Sequence, residues 1–251
     1  MKLENAELIV KRSYKEVYKT SEGIVKVFEK NHPKSDVFNE ALNQARVEET
    51  GLGIAKVKEV TEVDGKWALV IEYKDGKTLA EMMDVDPKNK TKYIEDFVDL
   101  QLSMHSKKAP LLNKLKDKLS RQINSLKELD ATTRYELLTR LESMPKHDKL
   151  CHGDFNPSNV IVAKNGKMTI IDWAHATQGN ASADAAMTYL LFALKDQETA
   201  DIYMKTFCKK SDTAMQYVQQ WLPIVAAAQL TKDNELEKDF LMKWIDVFDY
   251  Q

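Results

Sequence analysis

The sequence predicts an α+β fold in which a β-rich first part is followed by a mostly helical remainder. Short runs of β-branched and aromatic residues, separated by turn residues, occupy residues 7–28 and 55–73. From Thr78 onward the apolar residues recur mainly at helical spacing, and residues 160–172 interrupt them with a second β pattern. Strands grouped ahead of helices in this way are typical of the α+β class.

In the first part we expect strands at residues 7–10, 16–19 and 24–28, with a turn at residues 21–23. A helix is predicted over residues 36–50, where apolar residues recur with a period near 3.6. Its apolar face consists of Val37, Phe38, Ala41, Leu42, Ala45 and Val47. A second hairpin is predicted over residues 55–60 and 67–73, around the turn Asp64-Gly65. After it, Gly76 lets the chain turn and Thr78 caps the next helix.

In the remainder, one amphipathic helix is predicted to end near His105, and residues 111–141 also have helical spacing. Two apolar runs, residues 160–163 and 168–171, flank Asn165-Gly166, which is the strongest short signal for a hairpin turn. That hairpin would bring Asp172, at the end of its second strand, back toward Asn159.

The residues around this hairpin form a motif. Residues 152–159 are His-Gly-Asp-Phe-Asn-Pro-Ser-Asn, and residues 171–173 are Ile-Asp-Trp. An Asp and an Asn five residues apart, followed by an Asp at a strand end, is a layout for phosphoryl transfer. Asp154 would accept the proton of a substrate hydroxyl, and Asn159 and Asp172 would offer hard oxygen atoms to Mg²⁺. The alternative is that these side chains serve only turns and strand ends.

The first part supports the functional alternative. Lys26 lies in a strand of apolar and β-branched residues, as does the lysine of kinases that pairs with the α- and β-phosphates of ATP. Glu40 follows fourteen residues later on the predicted helix and is the candidate ion-pair partner that positions this lysine. Taken alone, Lys26 would be an ordinary edge-strand lysine and Glu40 a solvated surface residue.

On these motifs the chain resembles the aminoglycoside phosphotransferase and choline kinase superfamily, which consists of small-molecule kinases with a protein-kinase-like fold. The resemblance rests on residues 152–159, on residues 171–173 and on the segment Asn39-Glu40-Ala41. It implies two lobes, a nucleotide-binding lobe at residues 1–73 and a helical catalytic and substrate-binding lobe at residues 74–251. It also implies Mg²⁺ and ATP, with GTP as an alternative, and an acceptor hydroxyl on an aminoglycoside, a sugar or an amino alcohol.

The resemblance implies further nucleotide contacts. The segment between the lobes, whose backbone binds adenine in such kinases, corresponds to Glu72, Tyr73 and Lys74. The glycine-rich loop of protein kinases is missing, because the equivalent turn at residues 11–15 contains no glycine. Ser13 is the candidate in this turn for replacing backbone contacts to phosphate with its hydroxyl.

Two residues near the motif have supporting roles in this interpretation. We expect His152 to orient the loop that carries Asp154, in preference to accepting the proton itself. Asp184 resembles a family residue that braces this loop by accepting backbone hydrogen bonds. An acidic residue at a helix start, favoured by the helix dipole, is an equal explanation for Asp184.

Composition sets broader limits. The chain has 251 residues, a formal net charge of −2 and five arginines among 37 basic residues, a balance that argues against nucleic-acid binding. No apolar run reaches the length that spans a membrane, and the residues after Met1 lack the apolar core of a signal peptide, so neither a membrane span nor a signal peptide is expected. Cys151 and Cys208 are expected to be reduced thiols in a cytoplasmic protein, which would be a monomer or a homodimer.

Two alternatives and the acceptor stay open at this point. The glycine-free turn would suit a nucleotide-binding regulatory pseudokinase without turnover, whereas Ile-Asp-Trp and the lack of a long activation segment argue against a protein kinase. Acidic residues near the end of the chain are candidates for a wall that binds a cationic acceptor, although a solvated helix surface is favoured; they are Glu235, Asp239, Asp246 and Asp249. A choline site would need an aromatic cage, for which the candidates are Trp173, Tyr189, Trp221 and Trp244.

Overall fold

The computed structural model describes residues 3 and 5–245, which form two compact units. In chain order the strands are β1 (Glu7–Lys11), β2 (Lys15–Thr20), β3 (Gly23–Phe28), β4 (Val57–Val63), β5 (Lys66–Ile71), β6 (Lys77–Thr78), β7 (Lys149–Cys151), β8 (Val160–Val162), β9 (Met168–Ile170) and β10 (Thr177–Gly179). The helices are α1 (Lys34–Glu48), α2 (Leu79–Val85), α3 (Lys90–His105), α4 (Leu115–Ser125), α5 (Ala131–Ser143), α6 (Ala181–Ala193), α7 (Gln197–Ser211), α8 (Met215–Gln219), α9 (Leu222–Leu230) and α10 (Glu235–Ile245).

The first unit comprises residues 1–82 and 158–176. Its main sheet is antiparallel with strand order β1-β2-β3-β5-β4, and a smaller sheet has the order β6-β8-β9. Strand β3 is buried on both faces. Val25 and Val27 lie in one apolar cluster, and Phe28 lies in another together with Val37 and Ala41 of α1. The strands predicted at residues 7–28 and 55–73 and both predicted hairpins are confirmed.

Gly76 turns the chain where β6 comes against β8. Its φ angle is 153°, and a Cβ atom at this position would lie 2.4 Å from the carbonyl oxygen of Val162. Only glycine tolerates both conditions. Two residues later, Thr78 caps α2 as predicted. The amide of Glu81 donates to Thr78 Oγ1 at 3.1 Å, and the Thr78 amide donates to Glu81 Oε2 at 2.7 Å.

The buried side of α1 is more polar than the sequence predicts. Phe38 and Leu42, which were assigned to the apolar face, are 44% and 47% exposed, so the prediction was wrong for both. Glu40 and Gln44 are buried instead. Gln44 Nε2 donates to the carbonyl oxygen of Ala55 at 2.7 Å. Hydrogen bonding offsets part of the cost of burying polar groups here, because the Gln44 amide nitrogen has this partner.

The second unit comprises residues 83–157 and 177–251, and its core is helical. Every residue of α9 is buried, and α6 is buried along most of its length. The predicted helix does end at His105, as α3. Strands β7 and β10 pair antiparallel, and the loop that follows β7 carries Asp154. Phe155 anchors this loop, because its ring stacks on Phe97 of α3 at a centroid distance of 4.2 Å.

The two units overlap the predicted lobes without sharing their boundary at residue 73, and the lobe boundary stays a prediction. Among the described residues, no helix is both long and apolar enough to cross a membrane.

Candidate functional site

Four charged side chains meet in the first unit. Lys26 Nζ lies 2.5 Å from Glu40 Oε1 and 2.8 Å from Asp172 Oδ1. Lys15 Nζ lies 3.9 Å from Glu40 Oε2 and 3.8 Å from Asp172 Oδ2. We call these four residues the charge cluster. Its two lysines and Glu40 are buried, whereas the Asp172 side chain is 24% exposed.

Strand register explains why both lysines reach the cluster. In the β2–β3 hairpin, Lys15 is opposite Phe28 and Val17 is opposite Lys26. Side chains alternate between the faces of a strand, so Lys15, Val17, Lys26 and Phe28 all lie on one face. Phe28 packs with residues of α1, so this is the face that α1 covers. The lysines therefore point to the face where Glu40 is buried.

Asp172 is fixed at the end of the β8–β9 hairpin. The amide of Ile171 donates to the carbonyl oxygen of Asn159 at 2.9 Å, so the two candidate metal ligands lie at the same end of this hairpin. Asp172 has φ 64° and ψ 63°, a left-handed conformation that is uncommon outside glycine and costs energy. Asn43 of α1 donates to the carbonyl oxygen of Ala174 at 3.0 Å and so ties down the chain beyond Asp172.

The cluster shifts the two lysines in opposite directions. Burial alone would lower the pKa of Lys26, but the charges of Asp172 and Glu40 outweigh burial and raise it. The pKa of Lys15 is lowered, chiefly by burial and then by the positive charge of Lys26, because its own carboxylate contacts are longer. Lys26 is therefore a firmly held cation, whereas Lys15 is a cation that lacks full compensation.

The oxygen atoms of Asn159 and Asp172 have the chemistry that Mg²⁺ prefers. An amide and a carboxylate supply only part of an octahedral shell, and nucleotide phosphates and water usually complete such sites. Among the described residues, no group of three or more His, Cys, Asp or Glu side chains could hold a metal. An amide oxygen and a carboxylate oxygen form a donor set suited to Mg²⁺ bound together with a phosphate ligand, and the metal roles of both residues stay predictions.

The candidate adenine segment follows β5. Glu72 Oε1 pairs with Lys74 Nζ at 2.7 Å, and Tyr73 Oη accepts from Lys19 Nζ at 3.2 Å. Glu72 and Lys74 also line a cavity of about 410 Å³. Ser13 is exposed in the turn between β1 and β2. The nucleotide roles of these residues stay predictions.

In the second unit, buried groups hold the loop that carries Asp154. His152 is completely buried, and its Nδ1 accepts from the Asp154 amide at 3.2 Å. Its role in orienting the loop stays a prediction. The Gly153 amide donates to Asp184 Oδ1 at 2.7 Å. Asp184 Oδ2 lies 2.9 Å from His105 Nε2. The predicted bracing of the loop by Asp184 is thus present.

The bracing carboxylate is charged although it is buried. Burial alone would raise the pKa of Asp184, but the contact with His105 and the Gly153 amide outweigh burial and lower it. A carboxylate held in this way fixes the backbone one residue before Asp154. Buried contacts therefore hold the backbone next to the candidate base.

Asp154 itself pairs with a lysine that is distant in sequence. Its Oδ1 lies 3.2 Å from Nζ of Lys232, which follows α9. The side chains of Asp154 and Lys232 are 24% and 33% exposed. Lys118 of α4 is half-buried, and its pKa is lowered to about 8, chiefly by burial and then by the charge of Lys232.

Sequence reasoning missed three lysines, Lys15, Lys118 and Lys232. The hairpin register carries a signal for Lys15, because it places this residue on the face of Lys26. No local pattern identifies Lys118 or Lys232, since their relation to Asp154 depends on how distant helices pack.

The structure also bears on the two candidate sites for a cationic acceptor. Glu235 and Asp239 are exposed on α10, while Asp246 and Asp249 lie outside the described residues. Trp173 and Trp221 are fully buried core residues. Tyr189 and Trp244 pack edge to face at 5.8 Å.

The sequence profile described as Phosphotransferase enzyme family (APH) matches residues 12–221, which is most of the chain. No curated protein matches the chain by sequence.

Solved structures share the fold at low sequence identity. A thermostable mutant of aminoglycoside phosphotransferase APH(4)-Ia, in complex with ADP and hygromycin B, is 12% identical with a TM-score of 0.69, covering 96% of this chain and 90% of that one. Choline kinase LicA from Streptococcus pneumoniae is 14% identical with a TM-score of 0.65, covering 96% and 92%. LicA in complex with AMP is 14% identical with a TM-score of 0.66, covering 98% and 92%. The predicted kinase-like α+β fold is confirmed.

Proposed function

The chain belongs to the phosphotransferase enzyme family, and we propose that it is a small-molecule kinase that transfers the γ-phosphoryl group of ATP to a hydroxyl group in a reaction dependent on Mg²⁺. The observation that carries this proposal is the charge cluster, in which buried Lys26 is held between Glu40 and Asp172. Burying an ammonium group and two carboxylates costs desolvation energy. A functional role for the lysine explains why these charges are kept in this position. Kinases use such an ion pair to position the lysine that contacts phosphate.

The cluster suggests how the nucleotide phosphates are held. Lys26 is oriented by Glu40 and contacts the α- and β-phosphates. Lys15 supplies a second positive charge on the same face of the sheet. Its lowered pKa reflects an ammonium that a phosphate would compensate better than the longer contacts of the cluster do. The backbone of residues 72–74 binds adenine, and Ser13 contacts phosphate.

The acidic and amide groups of the motif complete the assignment. Asn159 and Asp172 would hold Mg²⁺, which neutralises charge on the phosphates. Asp154 accepts the proton of the acceptor hydroxyl as its oxygen bonds to the γ-phosphorus, and the bond from that phosphorus to the ADP oxygen breaks. His152 and Asp184 position the loop of Asp154. The motif that joins Asp154, Asn159 and Asp172 along the chain is the ground for assigning them to one reaction.

Names of the fold relatives support the nucleotide and the acceptor class. One was crystallised with ADP and hygromycin B, others with AMP-PNP and hygromycin B, and another with AMP. These ligands belong to those proteins, and they favour an adenine nucleotide over GTP for this chain.

The test is ADP release from Mg²⁺-ATP with a panel of aminoglycosides, sugars, choline, ethanolamine and homoserine. We expect release that depends on the acceptor and is lost in Asp154→Asn and in Asp172→Asn. Asp148→Asn is the matched control, because Asp148 is an exposed carboxylate paired with Lys108. Full activity in Asp172→Asn would contradict the proposal. ATP binding without release across the panel would favour the regulatory pseudokinase.

A further inference from the structure

We propose that the acceptor carries an acidic group, either a carboxylate or a phosphate, which Lys232 and Lys118 bind next to Asp154. This inference rests on the proposed function for the meaning of "acceptor", and it concerns the second unit only. It does not follow from the fold relatives, whose names refer to aminoglycosides and to choline.

Lys232 lies directly beside the candidate base Asp154. The candidate base has an ammonium group 3.2 Å from its Oδ1, and both side chains are in part open to solvent. A ligand that brings its hydroxyl to Asp154 therefore meets Lys232 as well. Lys232 is in this respect unlike Lys26, which two carboxylates of the charge cluster hold.

Packing of α4 against the end of α9 holds Lys118 near Lys232. Gln122 Nε2 donates to the carbonyl oxygen of Ala228 at 3.3 Å and to Thr231 Oγ1 at 3.0 Å, which fixes α4 against the end of α9. Lys118 is one helical turn before Gln122 and so lies on the same side of α4. Lys232 directly follows Thr231. The two lysines are therefore placed together by the fold.

The charges around these two lysines do not fully balance. Burial is the main cause that lowers the pKa of Lys118, and the charge of Lys232 is the next. The charges of Asp154 and Asp184 oppose this shift, and Arg121 adds a smaller repulsion. Asp184 is already committed to the Gly153 amide and to His105. Asp154 thus supplies one negative charge against the two positive charges of Lys118 and Lys232, and an anion arriving there would offset the remaining positive charge.

A cationic acceptor group is disfavoured next to the two lysines. A positive group close to Lys118 and Lys232 would be repelled, and the repulsion is strong where solvent is partly excluded. On α10, Glu237 is already paired with Gln229 and Asn234. The lysines thus favour acidic acceptors over the cationic ones that the fold relatives suggest.

The experiment compares four probes that share a glycerol backbone and differ in charge. They are glycerol, D-glycerate, glycerol 3-phosphate and 3-amino-1,2-propanediol, each titrated by calorimetry into the full-length chain saturated with ADP and Mg²⁺. We expect at least one anionic probe to bind about tenfold or more tightly than glycerol, and the amine to bind more weakly than glycerol. The tighter of the two anionic probes identifies the source of the charge.

Variants tie the preference to the lysines. Lys232→Ala should remove most of it, Lys118→Met should reduce it, and Lys232→Arg should keep it because the charge is retained. Lys238→Ala is the matched control, since Lys238 pairs with Glu128 and has no part in the proposal. Circular dichroism confirms that each variant is folded. Equal or tighter binding of the amine, or an anion preference that survives in the Lys118→Met/Lys232→Ala double variant, would overturn the inference.

The binding test separates this inference from the proposed function. Anion preference without any ADP release would support the acidic site and contradict the kinase assignment. ADP release with aminoglycosides alone, together with tighter binding of the amine probe, would support the kinase assignment and contradict the acidic site. If Lys232 served the transferred phosphate instead, Lys232→Ala would raise KM for ATP and leave the ranking of the four probes unchanged, which would also overturn the inference.

Discussion

Lys26 Nζ lies 2.8 Å from Asp172 Oδ1, although 146 positions of sequence separate the two residues. The contact joins the centre of the main sheet to the end of a hairpin formed much later in the chain. Glu40 holds the other side of the same ammonium, and Lys15 of β2 contacts both carboxylates. The charge cluster therefore depends on four segments, β2, β3, α1 and the β8–β9 hairpin.

Replacing Lys26 by Met should destabilise the protein, because it leaves Glu40 as a buried carboxylate with only the longer contact to Lys15. We expect the free energy of unfolding to fall by roughly 3 kcal/mol or more, as measured by urea denaturation. The matched control is Lys66→Met, which removes a more exposed pair with Glu29 and should cost no more than about 1 kcal/mol. Equal losses in the two variants would show that the buried cluster contributes no more to the free energy of unfolding than an exposed ion pair does.

Lys118 should make stability depend on pH in the alkaline range. Burial first, and Lys232 and Arg121 next, lower its pKa to about 8, against the opposing charges of Asp154 and Asp184. Between pH 8 and the unfolded lysine value of about 10.4, the folded state binds fewer protons than the unfolded state, so this contribution to stability rises with pH. Relative to Lys118→Met, the wild type should gain on the order of 1–3 kcal/mol from pH 7 to pH 10.

The control for this pH series is Lys238→Met. The hydrogen bond to Glu128 raises the pKa of Lys238, so its contribution is constant until pH reaches the unfolded lysine pKa. Urea denaturation at each pH gives both differences. A flat difference between the wild type and Lys118→Met would contradict the lowered pKa.

Asp184→Asn should weaken the loop that carries Asp154. The variant loses the charge that holds His105 and accepts from Gly153, and we expect a cost of roughly 2–4 kcal/mol at pH 7. Because the folded pKa of Asp184 is lowered, its contribution is present above the unfolded value of about 3.9 and is lost as pH falls below it.

The difference between wild type and Asp184→Asn should therefore shrink in acid, as followed by denaturation from pH 7 to pH 3. Asp148→Asn, in an exposed pair with Lys108, should have a much smaller effect at every pH. A pH-independent cost would mean that Asp184 acts by shape alone.

Comparing Gly76→Ala with Gly51→Ala should separate the cost of a steric clash from the cost of a positive φ angle. A Cβ at Gly76 would lie 2.4 Å from the backbone oxygen of Val162, and neither atom is on a flexible side chain. Gly51 also has a positive φ, 75°, but no atom lies within 4 Å of its Cβ position. We expect about 1–2 kcal/mol for Gly51→Ala and clearly more for Gly76→Ala, measured as midpoints of thermal unfolding. Similar midpoints would contradict the close approach of β6 to β8.

Local patterns predicted what depends on neighbours along the chain. The hairpin around Asn165-Gly166 follows from turn chemistry. Periodicity predicted α1 but not its buried face. The pairing of Lys26 with Glu40 was predicted from the resemblance of Asn39-Glu40-Ala41 to the family's segment, and the two residues do pair.

The rest depends on packing between distant segments. Phe38 and Leu42 fit a helical apolar face, yet the polar groups that find partners on α1 take the buried stripe. Lys232 is 78 positions from Asp154 in sequence, and only the fit of α4 against α9 places Lys118 with it. No pattern in the neighbouring sequence predicts either relation.

The discontinuity of the first unit has a consequence for biosynthesis. The ribosome completes residues 1–82 before it begins residues 158–176, and the intervening segment takes on the order of ten seconds to translate. During that interval the emerged chain contains Lys15, Lys26 and Glu40 but not Asp172, so the charges that make up the complete cluster have an excess of one positive charge. Residues 1–82 alone would lack the same carboxylate, and synthesis of the β8–β9 hairpin and Asp172 supplies it.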